Sequence, residues 1–426
     1  MSDYKIETKC LHSGWVPKKG EPRMLPIIQS TTFKYDTTYE MGRLFDLKDD
    51  GYFYTRVQNP TNDMVAAKIA DLEGGVAALL TSSGQAANFY ATLNLCEAGD
   101  HLISTSTIYG GTFNLFAVTF KKLGIECTFV DPDASSEEIE KAFRPNTKLV
   151  FGETIANPAL TVLDIEKFAK LAHSHKVPLI VDNTFATPVN CQPFKWGADI
   201  VTHSTTKYMD GHAAQVGGAI VDSGNFDWES NAEKFSCLTT PDESYHGLIY
   251  TQAFGKKAYI TKATVTLMRD LGSIPSPMNA FILNLGLESM PLRVERHCYN
   301  AQKVAEFLNA HEKVSSVNYA GLPSDKYHER AKKYMPKGTC GVISFELKGG
   351  RESAVHFMDS LKLATIATHV ADAKTCVLHP ASHTHRQMND EQLKEAGVSP
   401  GMIRFSVGIE NIDDILSDLE QALKNA

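Results

Sequence analysis

The sequence has no apolar stretch near the length that a transmembrane helix needs. About 20 mostly apolar residues are required to span a bilayer, and no apolar run in these 426 residues approaches that length. Residues 1–5 also lack the basic flank and the apolar segment of a secretory signal peptide. These two absences argue against a membrane-spanning or secreted protein and lead us to expect a cytoplasmic one.

Paired cysteines and basic runs are missing as well. The eight cysteines are scattered without a CxxC pair or a short framework spacing, so we expect neither a zinc site nor a disulfide scaffold. The formal net charge is −8 and no long run of lysine or arginine occurs, which argues against a nucleic-acid partner. With 43% hydrophobic and 22% charged residues, the chain has the composition of a folded protein with more than one domain.

Helical and strand-like patterns alternate through the middle of the chain. Residues 1–60 are rich in polar, glycine, proline and aromatic residues without clear periodicity, which predicts an extended arm. Beyond them, helical patterns at 62–72, 84–95 and 165–173 separate short apolar runs. The apolar runs, predicted to be strands, lie at 101–104, 127–130, 148–151, 178–181 and 199–201. This alternation is typical of a mainly parallel, doubly wound α/β sheet.

The pattern changes after about residue 274. A long helical segment at 292–310 leads to a strand-like run at 341–347 and a closing helix at 412–424. This sequence pattern predicts a smaller α+β domain. We therefore expect three segments, with an N-terminal arm at 1–60, a large α/β domain at 61–274 and a small C-terminal domain at 275–426.

Polar residues follow several of the predicted strands. Ligands of open α/β sheets bind at the carboxyl ends of the strands, so these residues are the first candidates for a site. One strand ends at Asp182, and the next leads into a turn that carries Lys207. Alone, neither residue is decisive, because an aspartate after a strand is usually a turn residue and a loop lysine is usually a solvated charge.

Further strand ends supply complementary chemistry. A lysine amine beside a carbonyl cofactor can form an imine and later move protons, and the hydroxyls of Ser204 and Thr206 flank this lysine. The segment before Gly84 turns from strand into helix, and a helix N-terminus presents N–H groups to an anion. Tyr109 follows another strand and could stack on a flat ring. An anion site, a carboxylate, an aromatic ring and an amine together match the needs of pyridoxal 5'-phosphate (PLP).

Six segments make the chain resemble the PLP enzymes of cysteine and methionine metabolism. That family includes cystathionine synthases and lyases, methionine γ-lyases and homocysteine synthases. The segments are YTRVQNPT at 54–61, SSGQAA at 82–87, ETIANP at 153–158, VDNT at 181–184, HSTTKY at 203–208 and RFSVG at 404–408. The resemblance runs from about residue 8 to about residue 423. It implies PLP fold type I, with the cofactor in the large domain.

The resemblance also implies roles for single residues. Lys207 would form the Schiff base with PLP, Asp182 would pair with the pyridine nitrogen, and Tyr109 would stack on the ring and take part in proton transfer. Asn157 would lie near the phenolic oxygen of PLP, and Arg404 would bind the substrate α-carboxylate as a planar fork. The phosphate would be bound by the N–H groups of Gly84 and Gln85, by the hydroxyls of Ser204 and Thr206 and, across a subunit interface, by Tyr54 and Arg56. The last two residues require at least a dimer, and the family leads us to expect a homotetramer.

Within the family, the chain is most similar to O-acetylhomoserine sulfhydrylases. Residues 228–263 resemble an insertion typical of those enzymes, as do 371–375 and 379–386. The expected reaction is γ-replacement, in which O-acetyl-L-homoserine and sulfide give L-homocysteine and acetate. The alternatives are a methionine γ-lyase, a cystathionine γ-synthase or lyase, and a non-catalytic PLP-fold protein. Methionine γ-lyases carry a cysteine two residues beyond the stacking tyrosine, whereas this chain has Gly111 there.

Two features of the C-terminal region stand apart. The family usually has serine or asparagine followed two residues later by glycine, where this chain has His369 and Ala371. That backbone normally touches the substrate carboxylate, so substrate preference is less defined than cofactor use. His379, His383 and His385 form a histidine-rich stretch, but their spacing and the lack of nearby carboxylate or thiolate ligands argue against a metal site.

Overall fold

The structure, a computed structural model, describes residues 4–382 and 399–426. The strands in these residues are β1 Ala77–Thr81, β2 His101–Thr105, β3 Glu126–Val130, β4 Thr147–Glu153, β5 Leu179–Asp182, β6 Ile200–His203, β7 Gly218–Asp222, β8 Val314–Asn318, β9 Val342–Leu347, β10 Thr365–Ile366, β11 Cys376–Leu378 and β12 Met402–Ser406. The α-helices are α1 Ile6–His12, α2 Thr38–Phe45, α3 Pro60–Glu73, α4 Gly84–Leu93, α5 Gly110–Asn114, α6 Phe120–Lys122, α7 Ser136–Glu140, α8 Ile165–Ser174, α9 Thr187–Asn190, α10 Ser236–Thr239, α11 Tyr250–Phe254, α12 Ala258–Lys262, α13 Arg269–Leu271, α14 Pro277–Ala310, α15 His328–Tyr334, α16 Gly350–Ser360 and α17 Ile412–Lys424.

The first sheet has seven strands in the order β1-β7-β6-β5-β4-β2-β3. The five strands from β6 to β3 are parallel to their neighbours, while β7 and β1 extend the β6 edge in antiparallel pairs. Helices α3, α4 and α8 pack on this sheet, and its strands contribute to the larger of two apolar cores. The structure thus confirms the predicted mainly parallel sheet. The short apolar runs predicted it because strands of such sheets are buried on both faces.

The second sheet has five strands in the order β10-β11-β12-β9-β8. Helices α14 and α16 pack on it and α17 packs against both helices, which encloses the second apolar core. The closing helix has the bounds that its pattern predicted, with the side chain of Asn411 capping its first turn. The division of the chain into segments at 1–60, 61–274 and 275–426 stays a prediction.

Local capping signals explain where several helices begin and end. Helix α3 starts where Asn59 caps the first turn and Pro60 occupies the first helical position, and it ends at Gly74 in a left-handed conformation. The long helix α14 begins fifteen residues before the predicted start because Ser276 is a cap and a proline follows it. The apolar periodicity at 292–310 therefore marked only its C-terminal half.

The prediction of an extended arm at residues 1–60 was wrong in part. Residues 1–60 contain helices α1 and α2, and α2 begins with a capping box formed by Thr37 and Glu40. The helices are short enough that their patterns do not stand out from the surrounding polar sequence. In the part of the chain that the structure describes, no helix combines the length and the apolar content needed to cross a membrane.

Candidate active site

The candidate site lies at the carboxyl ends of the parallel strands. Glu153 at the end of β4 is in register with Asp182 at the end of β5, and the turn that carries Lys207 follows β6. Strand β1 runs in the same direction as β6, because both are antiparallel to β7, so the N-terminus of α4 lies at the same edge. Four elements that are distant in sequence therefore meet where ligands of α/β sheets bind.

Lys207 has a buried amine with a lowered pKa. Burial, with the positive charge of Arg404 as a smaller cause, lowers the pKa of Lys207 from its ordinary value to about 8. At neutral pH, about a tenth of such amines is uncharged, and the uncharged amine is the nucleophilic form. The backbone of this turn is fixed: the Gly211 N–H donates to the Lys207 carbonyl at 2.7 Å, and Arg293 donates to the Tyr208 carbonyl at 2.8 Å.

Asp182 is oriented by residues that the sequence analysis did not single out. Its Oδ1 accepts from the Thr184 backbone N–H at 3.0 Å and from the Thr184 hydroxyl at 2.5 Å. Its Oδ2 accepts from Asn88 Nδ2 at 3.2 Å, and the Asn88 amide is itself fixed by the Thr202 hydroxyl at 2.6 Å. Thr184 belongs to a motif segment, but no local signal distinguishes Asn88, which lies on α4.

Glu153 is a second residue that the sequence analysis missed. Its two carboxyl oxygens accept from the backbone N–H groups of Tyr109 at 2.8 Å and Asn157 at 3.3 Å. Burial, and then the neighbouring charge of Asp182, raise the pKa of Glu153 well above its ordinary value. Glu153 is therefore a buried acid that positions two predicted cofactor-binding residues through their backbone N–H groups. Its place at a strand end, opening the segment ETIANP, was the available signal.

The Tyr109 ring lies over the space that a side chain at position 111 would fill. A Cβ atom added to Gly111 would be 2.5 Å from Tyr109 Cε1, closer than real Cβ contacts. The Gly111 carbonyl also accepts from Gln85 Nε2 at 3.0 Å, which ties α5 to α4. Tyr109 is 49% exposed, so it remains accessible to a flat ligand. Glycine at 111 permits this ring position, and a larger residue there would require the Tyr109 ring to shift.

The N-terminus of α4 forms a cradle for an anion. The Ser83 side chain caps the Ala86 N–H, while the N–H groups of Gly84 and Gln85 lack intrahelical acceptors because they open the helix. A Cβ on Gly84 would lie 2.5 Å from Ser204 Cβ, so the helix start touches the turn that follows β6. The Thr184 hydroxyl accepts from the Ser204 N–H at 2.8 Å and thereby links the cradle to Asp182.

The Thr206 hydroxyl is already engaged in two hydrogen bonds with the Gly217 backbone. It donates to the Gly217 carbonyl at 3.1 Å and accepts from the Gly217 N–H at 3.0 Å. A contact from this hydroxyl to a phosphate would require it to leave the Gly217 carbonyl. Its predicted phosphate role stays a prediction.

Tyr54 and Arg56 contact each other rather than the rest of the site. The Arg56 guanidinium lies 5.3 Å from the Tyr54 ring centroid and donates to the Arg269 carbonyl. Within the described residues of this single chain, neither side chain has a hydrogen bond to another predicted site residue. Their reach across a subunit interface stays a prediction.

Arg404 comes from the second sheet and completes the cleft. It lies on β12, is only 6% exposed, and donates from Nη1 to Asn157 Oδ1 at 3.2 Å. Its Nη2 donates to the carbonyls of His369 at 3.0 Å and Thr368 at 3.4 Å. Arg404 therefore joins the two sheets through Asn157, which the sequence alone did not indicate.

The histidine-rich stretch lies largely outside the described residues. His383 and His385 are among the residues that the structure does not describe. The ring of His379 contacts the Ser382 hydroxyl at 2.8 Å and the Pro400 carbonyl at 2.9 Å. Across residues 4–382 and 399–426, no group of three histidine, cysteine or acidic side chains could bind a metal ion.

The residues brought together fit PLP. The α4 cradle suits a phosphate, the buried amine of Lys207 suits an aldehyde, and the oriented carboxylate of Asp182 suits a pyridine nitrogen. Arg404 Nε is buried without a hydrogen-bond partner among the described residues, which leaves a donor for a ligand carboxylate.

Known proteins support this assignment. A homologue in Leptospira meyeri, named O-acetyl-L-homoserine sulfhydrylase, is 47% identical, with 99% of this chain and 97% of the relative covered. A homocysteine/cysteine synthase of Saccharomyces cerevisiae is 46% identical, with 94% and 93% covered. A Campylobacter jejuni structure, named O-acetylhomoserine (thiol)-lyase and containing a pyridoxyl-lysine phosphate residue, matches with a TM-score of 0.95 at 38% identity and covers 99% of this chain and 100% of its own.

These matches confirm PLP fold type I and the predicted cofactor. The match to the family extends over residues 7–424. The chain belongs to the Cys/Met metabolism PLP-dependent enzyme family.

Proposed function

We propose that the protein converts O-acetyl-L-homoserine and sulfide to L-homocysteine and acetate, with PLP bound covalently to Lys207. The observation that carries the proposal is the likeness, over nearly the whole chain, to relatives named O-acetyl-L-homoserine sulfhydrylase at 44–47% identity. The geometry supports it because an amine, an anion cradle and a buried arginine share one cleft.

PLP, when bound, withdraws electrons from the α-carbon of an amino acid and makes its proton easier to remove. Asp182 faces the pyridine nitrogen in this proposal, oriented by Thr184 and Asn88. Tyr109 would stack on the ring, while the N–H groups of Gly84 and Gln85 and the Ser204 hydroxyl would bind the phosphate.

The chain's own residues then bind the substrate and move its protons. Arg404 would bind the α-carboxylate, and Asn157, which accepts from Arg404, would lie near the phenolic oxygen of PLP. The Lys207 amine, with its pKa lowered to about 8, removes the α-proton and later returns a proton to the substrate carbons. Tyr109, half exposed at the cleft, takes part in these transfers.

The assembly and location of the protein are also proposed. We infer a homo-oligomer of at least two subunits, and a tetramer by analogy with the family, in the cytoplasm. The exposed position of Tyr54 and Arg56 on the N-terminal segment supports an approach to a neighbouring subunit, where they would bind the phosphate together with Thr206. The proposed segments are the arm at 1–60, the PLP-binding domain at 61–274 and the small domain at 275–426.

The first experiment identifies the products. The purified protein is incubated with O-acetyl-L-homoserine, with and without sulfide, and the products are analysed by mass spectrometry. Homocysteine and acetate that form only with sulfide support the proposal. Rapid formation of 2-oxobutanoate that does not decrease when sulfide is added would instead identify a γ-lyase. The same assay with O-succinyl and O-phospho esters and with O-acetyl-L-serine defines the substrate range.

A pair of lysine variants tests the cofactor site. Lys207→Ala should lose both turnover and the visible absorbance of bound PLP. Lys332→Ala is the matched control, because Lys332 is exposed on α15 and forms an ion pair with Glu329 at 3.4 Å. Near wild-type turnover in Lys207→Ala would contradict the assignment.

A further inference from the structure

A buried glutamate joins the two strand ends that carry Asp182 and the turn of Lys207. Glu73 is the last residue of α3 and is only 1% exposed. Its Oε1 accepts from Asn183 Nδ2 at 2.8 Å and, in the Nε2–H tautomer of His203, from that nitrogen at 2.7 Å. Asn183 directly follows β5 and His203 ends β6, so one carboxyl oxygen links two neighbouring strands.

The Asn183 amide extends this network to a third strand. Its Oδ1 accepts from the Thr154 hydroxyl at 2.8 Å, and Thr154 directly follows β4. Its Nδ2 also donates to the Cys191 carbonyl at 2.9 Å. Side chains therefore join the ends of β4, β5 and β6 near the point where the pairing of these strands stops.

The network lies behind the cleft rather than in it. Asp182 and the Thr202 hydroxyl contact Asn88 on α4, whereas the residue that follows each of them contacts α3. Successive side chains of an extended chain point to opposite faces of a sheet, so α3 and α4 reach the same strand ends from opposite sides. A side chain on α3 can therefore act on the cleft only through the backbone of its partners.

Stability alone does not account for these buried polar groups. Glu73 Oε2 and His203 Nδ1 are buried and have no hydrogen-bond partner among the described residues. Unpaired buried polar atoms cost free energy, and apolar side chains of similar volume are often at least as stabilising as a buried polar pair. The residue types at these two positions therefore point to a requirement for geometry rather than for stability.

We propose that Glu73 is a positioning residue of the cofactor site. By binding Asn183 and His203, it fixes the spacing between Asp182, which precedes Asn183, and the turn that carries Lys207, which follows His203. This inference rests on the proposed function, because it concerns the PLP site that those two groups form. A displacement of about 1 Å can lower a catalytic rate about 100-fold, so loss of the network should affect both cofactor fit and turnover.

The test measures PLP affinity and turnover in variants of Glu73. Glu73→Leu should raise the dissociation constant of PLP about tenfold in equilibrium dialysis and lower kcat about 10- to 100-fold. The KM for O-acetyl-L-homoserine should stay unchanged, because Arg404 comes from the second sheet. Glu73→Gln keeps an oxygen that can accept both hydrogen bonds, so it should recover most of the PLP affinity and of kcat.

The matched control lies at the opposite edge of the same sheet. His101 opens β2, is buried, and its ring contacts the hydroxyls of Thr147 at 2.8 Å and Thr128 at 2.9 Å. His101→Leu also removes two buried hydrogen bonds, but at the amino ends of the parallel strands. It should lower the melting temperature and leave PLP affinity and kcat unchanged.

The outcomes separate this inference from the proposed function. Unchanged PLP affinity and kcat in folded Glu73→Leu overturn the positioning role, as do losses in Glu73→Gln or His101→Leu that equal those in Glu73→Leu. If Glu73→Leu does not fold, Asn183→Ala, which detaches β5 from α3, should weaken PLP binding, and unchanged affinity there overturns the role. The dissociation constant of PLP does not depend on the products formed, so a γ-lyase result in the product assay leaves this test intact.

Discussion

A single methyl group on Gly84 should weaken cofactor binding as well as destabilise the fold. In Gly84→Ala, the new Cβ would lie 2.5 Å from Ser204 Cβ and 2.7 Å from Ser204 Cα. Ordinary contact begins at 3.4 Å, so the helix start and the Ser204 turn must move apart by about 0.9 Å. One of the atoms in conflict is backbone, so a side-chain rotation cannot relieve the overlap.

The structure sets the size of the effect. Forcing an extra methyl group into a packed site costs about 1–3 kcal/mol of unfolding free energy. A displacement of nearly 1 Å also removes about one N–H contact to the phosphate, worth about 1.5–3 kcal/mol for a charged acceptor. We therefore expect the dissociation constant of PLP to rise about 10- to 100-fold.

The assay measures PLP affinity and stability separately. Equilibrium dialysis gives the dissociation constant of PLP, and urea unfolding of the PLP-free protein gives the stability. The control is Gly42→Ala, because Gly42 lies within α2 with nothing within 4 Å of an added Cβ. It should keep PLP affinity and gain about 0.5–1 kcal/mol from the better helix former. Unchanged PLP affinity in Gly84→Ala would refute the anion cradle.

Three further predictions concern the other groups of the cleft. Because the pKa of Lys207 is about 8, the rate at which the PLP-free protein takes up PLP should rise with pH, reach half of its plateau at about pH 8 and level off above about pH 9; a midpoint at about pH 10, near the ordinary lysine value, would contradict this. Arg404→Lys should raise KM about 10- to 100-fold while the cofactor spectrum is unchanged, because lysine cannot bind Asn157 and the substrate together; an unchanged KM in steady-state assays would count against the site. Glu153→Leu should lower the unfolding free energy by about 2 kcal/mol in urea titrations, because the N–H groups of Tyr109 and Asn157 lose their acceptor; no loss would mean that they find another one.

The local patterns of the sequence determined the elements and the kind of chemistry. Apolar runs bounded by turns fixed the parallel strands, and caps such as Asn59 with Pro60 fixed where α3 begins. The position of Asp182 at the end of one strand and of Lys207 after the next was predictable from the apolar runs that precede them, and ligands of such sheets bind at strand ends. These signals act over a few residues, so they can be read without knowing which strands are neighbours.

Tertiary structure decided which residues support those groups. Asn88 orients Asp182 from 94 positions away, and Arg404 reaches Asn157 from the second sheet. The first contact depends on the strand order β1-β7-β6-β5-β4-β2-β3 of the first sheet, and the second depends on where β12 lies in the other sheet; no local periodicity encodes either. The unpaired Nε of Arg404 is likewise visible only when its described neighbours are in place, because a missing hydrogen bond is a property of the packed cleft.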